Sequence, residues 1–183
     1  MNYNQIHRET LPNGYTVSIE HDTDPDSPRN WDNLGTLAIL DRSRYSFGDE
    51  TMTRDEITQT LNRPDVIALP VYIYDHSGIT INTTGFSCPW DSGMIGVIYC
   101  TKDKARKEYS RANITKPLAE RIRRTLRAEI TTMDEYLTGQ VYGYRIHDPE
   151  GQERATCWGF YGLEHCKEEA HAEAAAMGET CTH

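Results

Sequence analysis

The sequence predicts an α+β fold built on a mainly antiparallel sheet, and three observations carry that prediction. Tyr15, Val17 and Ile19 alternate with polar neighbours, the period of a half-buried strand. Leu118, Ile122, Leu126, Ile130, Met133 and Leu137 fall three or four apart, the period of one long amphipathic helix. Helical segments do not alternate regularly with strands, and the strand connections carry hairpin chemistry, which favours meanders and hairpins over a doubly wound parallel sheet. For a chain of 183 residues the expectation is one domain over 1–162, because domains cluster near ~100–150 residues. One long and one short helix would pack it, and an Ala- and Glu-rich helix or tail would occupy 163–183.

Taken in order, LPNG at 11–14 offers Asn13-Gly14 for a tight hairpin turn ahead of the first alternating strand. A polar loop, HDTDPDSPRNWDN, leads into the apolar strand GTLAIL. In MTRDEITQTLNR, Thr53 and Glu56 have the spacing of a capping box, and Met52 and Ile57 that of a hydrophobic staple. The short helix must stop near Arg63, since Pro64 cannot continue its ladder. VIALPVYIYD, ITINTT and MIGVIYCT read as three successive strands of an antiparallel meander. The long helix covers 117–137 and ends at Gly139, after which VYGYRIHD and RATCWGFYG pair across the turn Asp148–Gly151.

Composition sets outer limits. Hydrophobic residues make up 37% and charged residues 26%, with eleven Tyr and three Trp, enough ordering side chains for a folded chain. No run of eighteen apolar residues occurs, and MNYNQIHRET lacks the order of a secretory signal, so a cytoplasmic protein without membrane contact is expected. The five cysteines include no C-x-x-C pair, which suggests free thiols and no structural zinc. Net charge is −9, yet residues 102–127 hold ten Lys or Arg against three acids, so the remainder sums to −16. A chain so polarised can offer a basic stripe to phosphates or an acidic surface to a basic partner.

Residues 70–93 contain Asp75, His76, Ser77, Cys88, Asp91 and Ser92, the inventory of a hydrolase site. A strand of six residues between the two groups would part them by roughly 20 Å, unless the nine-residue loop 85–93 folds back along the sheet. Asp22, Asp24 and Asp26 begin like a calcium loop, but Ser27 and Asn33 replace its Gly and bidentate Glu. His165, Cys166, His171, Cys181 and His183 have irregular spacing for a metal set. Phosphate-loop, dinucleotide-binding, zinc-protease and nucleophile-elbow motifs are all missing, so neither a cofactor nor a resident metal is expected. Recognition chemistry remains: Arg29, Asn30, Trp31, His76, Trp90 and Asp91 on loops, with Tyr72, Tyr74, Tyr142, Tyr144, Trp158 and Tyr161 on strands. Aromatic planes beside cations suit a nucleobase and its phosphates, and they equally suit strand packing. Trp31-Asp32 and Trp90-Asp91 each run into a strand through Asn or Ser and Gly, a turn pattern as much as a site pattern.

SPRNWDNLG (27–35), FGDE (47–50), YDHSG (74–78), CPWDSG (88–93), YLTGQVYGY (136–144) and CWGFYG (157–162) together resemble an uncharacterised family of small phage- and prophage-encoded proteins. The resemblance implies an accessory protein of a phage or mobile element, working in the host bacterial cytoplasm. Proteins of that kind often blunt host defence. The expected function is therefore counter-defence by binding, either sequestering a nucleotide-like signal or occupying a host defence protein, in a chain that can self-associate as a homo-oligomer. Arg29, Trp31, Asp32, His76, Trp90, Asp91, Lys102, Lys104, Arg106 and Lys107 are the expected ligand contacts. Two alternatives stand beside it. One is a small hydrolase or metal-dependent enzyme using Asp75 and His76, with Asp32 and Asp91 near a metal; the other is an inhibitor whose acidic surface imitates nucleic acid.

Overall fold

Sheet order departs from a meander at the strand that most needs two neighbours. In the computed structural model, which describes residues 4–179, the segment VIALPVYIYD is strand β5 (Val66–Asp75) by the numbering used below, and it is largely shielded along its ten residues. A strand apolar on both faces belongs inside a sheet, paired on each edge. The four-residue β6 (Ile79–Asn82) pairs only with Tyr72–Asp75, whereas the ten-residue β7 (Ser92–Thr101) pairs with Val66–Tyr74 on the other edge. The chain therefore crosses β5 between β6 and β7, and the expected meander is corrected to the order β7-β5-β6.

Contacts divide the chain into two compact units. The central unit, 27–138, holds a five-stranded sheet ordered β4-β3-β7-β5-β6, with β3 at Thr36–Leu40 and β4 at Glu50–Met52. It is antiparallel except where β3 and β4 run parallel. Alternate side chains of β3 point to opposite faces, as the two-residue strand period demands. Leu37 and Ile39 join the core under α3 (Lys116–Leu137), with Ile122, Leu126, Ile130 and Met133 of that helix. Ala38 joins Val97 and Ile57 under α1 (Arg54–Asn62) on the other face. Each fully buried Ile or Leu here contributes roughly 1.5–3 kcal/mol.

The capping box forms as read. Thr53 Oγ1 accepts from Glu56 N at 3.3 Å, and Glu56 Oε2 accepts from Thr53 N at 2.8 Å. A further helix, α2 (Lys102–Glu108), follows β7 at once, capped by Thr101. Only Ala105 of KDKARKE is buried, so no apolar period announced it. The register of β5 on β7 shifts between Val71 and Tyr72, an extra residue at Ile95 that re-aims the strand. Beside it, a Cβ on Gly96 would stand 2.1 Å from the carbonyl oxygen of Ala38, so the close pairing of β7 with β3 requires glycine.

The terminal unit, 1–26 and 139–183, pairs β1 (Gln5–Thr10), β2 (Thr16–His21), β8 (Val141–His147) and β9 (Glu153–Tyr161) in that order, all antiparallel. The expected C-terminal helix is present as α4 (Leu163–Glu179). Cys166, Ala170 and Ala174, four apart, face Val17, Ile19, Tyr142, Tyr144 and Ile146. Their small size lets the helix lie close on the sheet. Asn13 at the hairpin tip donates to the Ala174 carbonyl at 2.8 Å. Among the described residues no helix is long and apolar enough to cross a membrane.

Candidate functional site

The hydrolase inventory does come together, by the route in which the loop folds back. Asp75 N donates to the Asp91 carbonyl at 2.9 Å, and Tyr74 stands opposite Ser92. His76 Nδ1 lies 3.5 Å from Asp91 Oδ2, and Cys88 Sγ lies 3.7 Å from the same oxygen. Tyr74 packs between the rings of His76 and Phe86, at 6.1 and 5.7 Å. The connectivity matters more than the proximity. A nucleophile is activated when a histidine stands between it and the carboxylate; here the carboxylate is in the middle. Asp91 accepts the thiol hydrogen, so the arrangement is a loop clasp.

Asp75 is committed elsewhere. Its carboxylate accepts from the Tyr45 hydroxyl and from Arg44. Those two groups, Tyr45 first, hold its pKa below the usual aspartate value, which suits a fixed counter-ion and makes it a poor proton acceptor near neutrality. Asp32 and Asp91 do not share a site. Thr36, which follows the Trp31-Asp32 loop, pairs with Tyr99, while Trp90-Asp91 precedes Ser92 at the other end of β7. Seven residues of strand part those ends by roughly 23 Å. Among the described residues no three His, Cys, Asp or Glu side chains are grouped to hold a metal ion.

Both Trp-Asp segments close turns. Asn33 Nδ2 donates to the carbonyls of Pro28 and Trp31 at 2.8 and 3.0 Å, and the Ser92 hydroxyl donates to the Cys88 carbonyl. Trp90 projects, 91% exposed. Arg29 points inward with its side chain 8% exposed, pairing with Asp49 at 2.6 Å and Glu129 at 3.3 Å. Burial lowers its pKa, and the hydrogen bond and charge of Asp49 with those of Glu129 more than restore it, so it stays above the usual guanidinium value. Arg29 is thus fully engaged inside the fold.

The strand aromatics of the terminal unit serve packing. Tyr142 and Tyr144 are core residues, and Tyr144 donates to Glu173. Trp158 lies against Gly143, where a Cβ would come within 2.1 Å of its ring. Tyr161 donates to the Asp26 carbonyl. In the loop before, Asp22 Oδ1 accepts from Asp24 N at 3.0 Å. Of the tail residues, Cys166 is buried, and burial, with a smaller effect of Cys157, pushes its thiol up to about 12. His171 Nε2 meets Glu9 Oε1 at 2.5 Å and His165 approaches Glu169 at 3.9 Å, while Cys181 and His183 lie outside the described residues.

The basic segment divides in two. On α2, Arg106 pairs with Asp103 at 2.5 Å, Lys104 Nζ donates to the Asn33 carbonyl at 2.6 Å, and Lys102 is half-buried. On α3, Arg123 pairs with Glu120 at 2.6 Å. By contrast Lys107, Arg111, Lys116, Arg121, Arg124 and Arg127 are exposed and make no ion pair among the described residues. Arg121 stacks over the Tyr109 ring, 5.1 Å from its centroid. Around it, Tyr109, Arg111, Asn113, Thr115, Pro117 and Leu118 line an open cavity of about 500 Å³. The charge count over 102–127 pointed at this stretch. It could not pick out Tyr109, Arg111 and Arg121, because the turn between α2 and α3 is what brings them together.

No protein-family model, no curated protein and no solved structure matches this chain.

Proposed function

We propose that the protein acts by affinity, binding a phosphate-bearing anion on the exposed side of α2 and α3. One observation carries this: six exposed cations along α2, the turn after it and α3 make no ion pair among the described residues, in a unit balanced overall at fifteen Lys or Arg against fifteen Asp or Glu. Like charges gathered at one place repel, and an anion relieves that repulsion. Arg121, Arg124 and Arg127 follow one another every three residues, so they cover about 9 Å of one solvent-facing sector. In the phage setting suggested by the sequence segments, such affinity serves counter-defence by removing a nucleotide-like host signal, with no turnover needed. Anisotropy of a labelled single-stranded oligonucleotide at low salt tests it. Arg121→Glu/Arg124→Glu/Arg127→Glu should weaken binding by roughly 1,000-fold or more, at about 1.5–3 kcal/mol for each of the three charged contacts. Wild-type protein that binds neither nucleotide nor nucleic acid at low salt would sink the idea.

A second reading rests on the terminal unit, whose four Lys or Arg against thirteen Asp or Glu account for the whole net charge of −9. An acidic unit of that kind suits docking on a basic host nuclease, with Glu164, Glu168 and Glu169 of α4 exposed for it. Salt-sensitive association that a mononucleotide fails to compete away would favour it.

A further inference from the structure

We infer that the cavity between the end of α2 and the start of α3 is a mononucleotide site, with the phosphate on Arg111 and the base on the Arg121–Tyr109 stack. It rests on the anion-binding role of this face and names its ligand class. The volume, about 500 Å³, falls within the ~300–1,000 Å³ of small-ligand sites. Its lining splits by chemistry. Arg111 brings a guanidinium fork, which matches phosphate oxygens in pairs, and neither it nor Arg121 has a carboxylate partner among the described residues. Pro117 and Leu118 supply apolar wall, while Asn113 and Thr115 add polar groups that can read a base edge or a sugar.

Arg121 already lies over the Tyr109 ring at 5.1 Å. Its flat guanidinium then offers an outer face on which a base can stack, the arrangement by which arginine planes receive unpaired bases. Backbone geometry fixes the same corner. Ser110 sits at φ 50°, a left-handed conformation unusual for a residue with a Cβ. Arg111 N donates to the Arg106 carbonyl at 3.0 Å and Ser110 N to the Lys107 carbonyl at 3.2 Å, the paired bonds of a helix-ending turn. That turn sets Tyr109 and Arg111 on the cavity wall from either side. A compact dianion with one aromatic ring fits this corner better than a duplex, which presents a charge every ~1.7 Å and no free base face.

Isothermal titration with adenosine 5′-monophosphate, adenosine and inorganic phosphate, beside the oligonucleotide assay, tests it on the full chain. The expected result is saturable binding of the nucleotide, tighter than either fragment. Arg111→Glu and Tyr109→Leu should each weaken it by roughly 10- to 100-fold, one charged or stacking contact's worth. Arg54→Glu, on α1 over the opposite sheet face, makes the same charge change away from the cavity and should leave it unaltered. Unchanged melting temperatures show that the variants fold; if Arg111→Glu melts early, Arg111→Gln carries the test. Oligonucleotide binding without nucleotide binding up to about 1 mM, the millimolar limit of weak recognition, overturns the cavity site and leaves the basic face standing. Nucleotide binding indifferent to Arg111 and Tyr109 does the same, and failure to bind either probe overturns both.

Discussion

Replacing Arg29 by alanine should unfold the central unit far more readily, although its sequence context reads as an exposed loop. Arg29 Nε and Nη2 donate to the two oxygens of Asp49 at 2.9 and 2.6 Å, Nη2 also donates to the Gly35 carbonyl at 2.7 Å, and Nη1 reaches Glu129 at 3.3 Å. Glu129, with its side chain 12% exposed, in turn accepts from the amides of Leu34 and Gly35 at 2.9 and 3.1 Å. Removing the cation leaves that carboxylate shielded from water with no counter-charge, a loss of about 3–5 kcal/mol. An exposed ligand contact would shift stability by less than about 0.5 kcal/mol. With a urea m-value of about 2 kcal/mol/M for a chain this size, the unfolding midpoint should fall by about 1.5–2.5 M. Far-UV circular dichroism in urea reads this directly, and hydrogen exchange at the Leu34 and Gly35 amides should lose protection in step. Arg29→Lys keeps the charge without the planar fork and should fall between. A midpoint shift below about 0.25 M, equivalent to that 0.5 kcal/mol at the same slope, would refute the account and return Arg29 to the surface.

Gly96→Ala should destabilise by about 2 kcal/mol or more, since the new methyl meets the backbone of Ala38 at 2.1 Å and neither strand can retreat without breaking its ladder; an unaltered melting temperature would contradict the β3–β7 pairing. Asp75→Asn should be less stable than wild type at neutral pH, and the gap should close in acid. Its carboxyl is held low by Tyr45 and Arg44, so its contribution is complete above the unfolded value near ~3.9 and is lost as pH falls through the lower folded value. A gap that stays constant from about pH 7 to about pH 2 would show that Asp75 is not ionically held.

What the sequence made legible was local. Thr53 and Glu56 stand three residues apart and bond as their spacing required, and the 3.6 period of α3 put Ile122, Leu126, Ile130 and Met133 into the core. What it hid was set by distant partners. Arg29 finds Asp49 twenty positions on and Glu129 a hundred positions on, and nothing beside Arg29 signals either. The strand order turned on the partner of β7, which takes the free edge of the ten-residue β5 in place of the four-residue β6; each strand was visible singly, the pairing was not. Helix α2 has one buried residue, so its pattern carries no period, and only the Thr101 cap and its position after β7 give it away.

Charge alone would not make the proposed site selective. The whole chain carries −9, so an approaching polyanion meets net repulsion at long range. At physiological ionic strength the Debye length is about 8 Å, close to the extent of the Arg121–Arg127 stripe, so the six cations act at contact while the net charge hardly reaches. At low ionic strength, near 0.01 M, screening extends to about 30 Å, and the net charge then opposes what the stripe attracts. Diluting salt therefore strengthens each arginine contact and the background repulsion together. A long nucleic acid samples both; a mononucleotide seated on Arg111 and Arg121 samples chiefly the contacts. For the proposed mononucleotide site, the geometry of the cavity favours a compact anion, and at low ionic strength the negative remainder of the chain discourages the longer competitor.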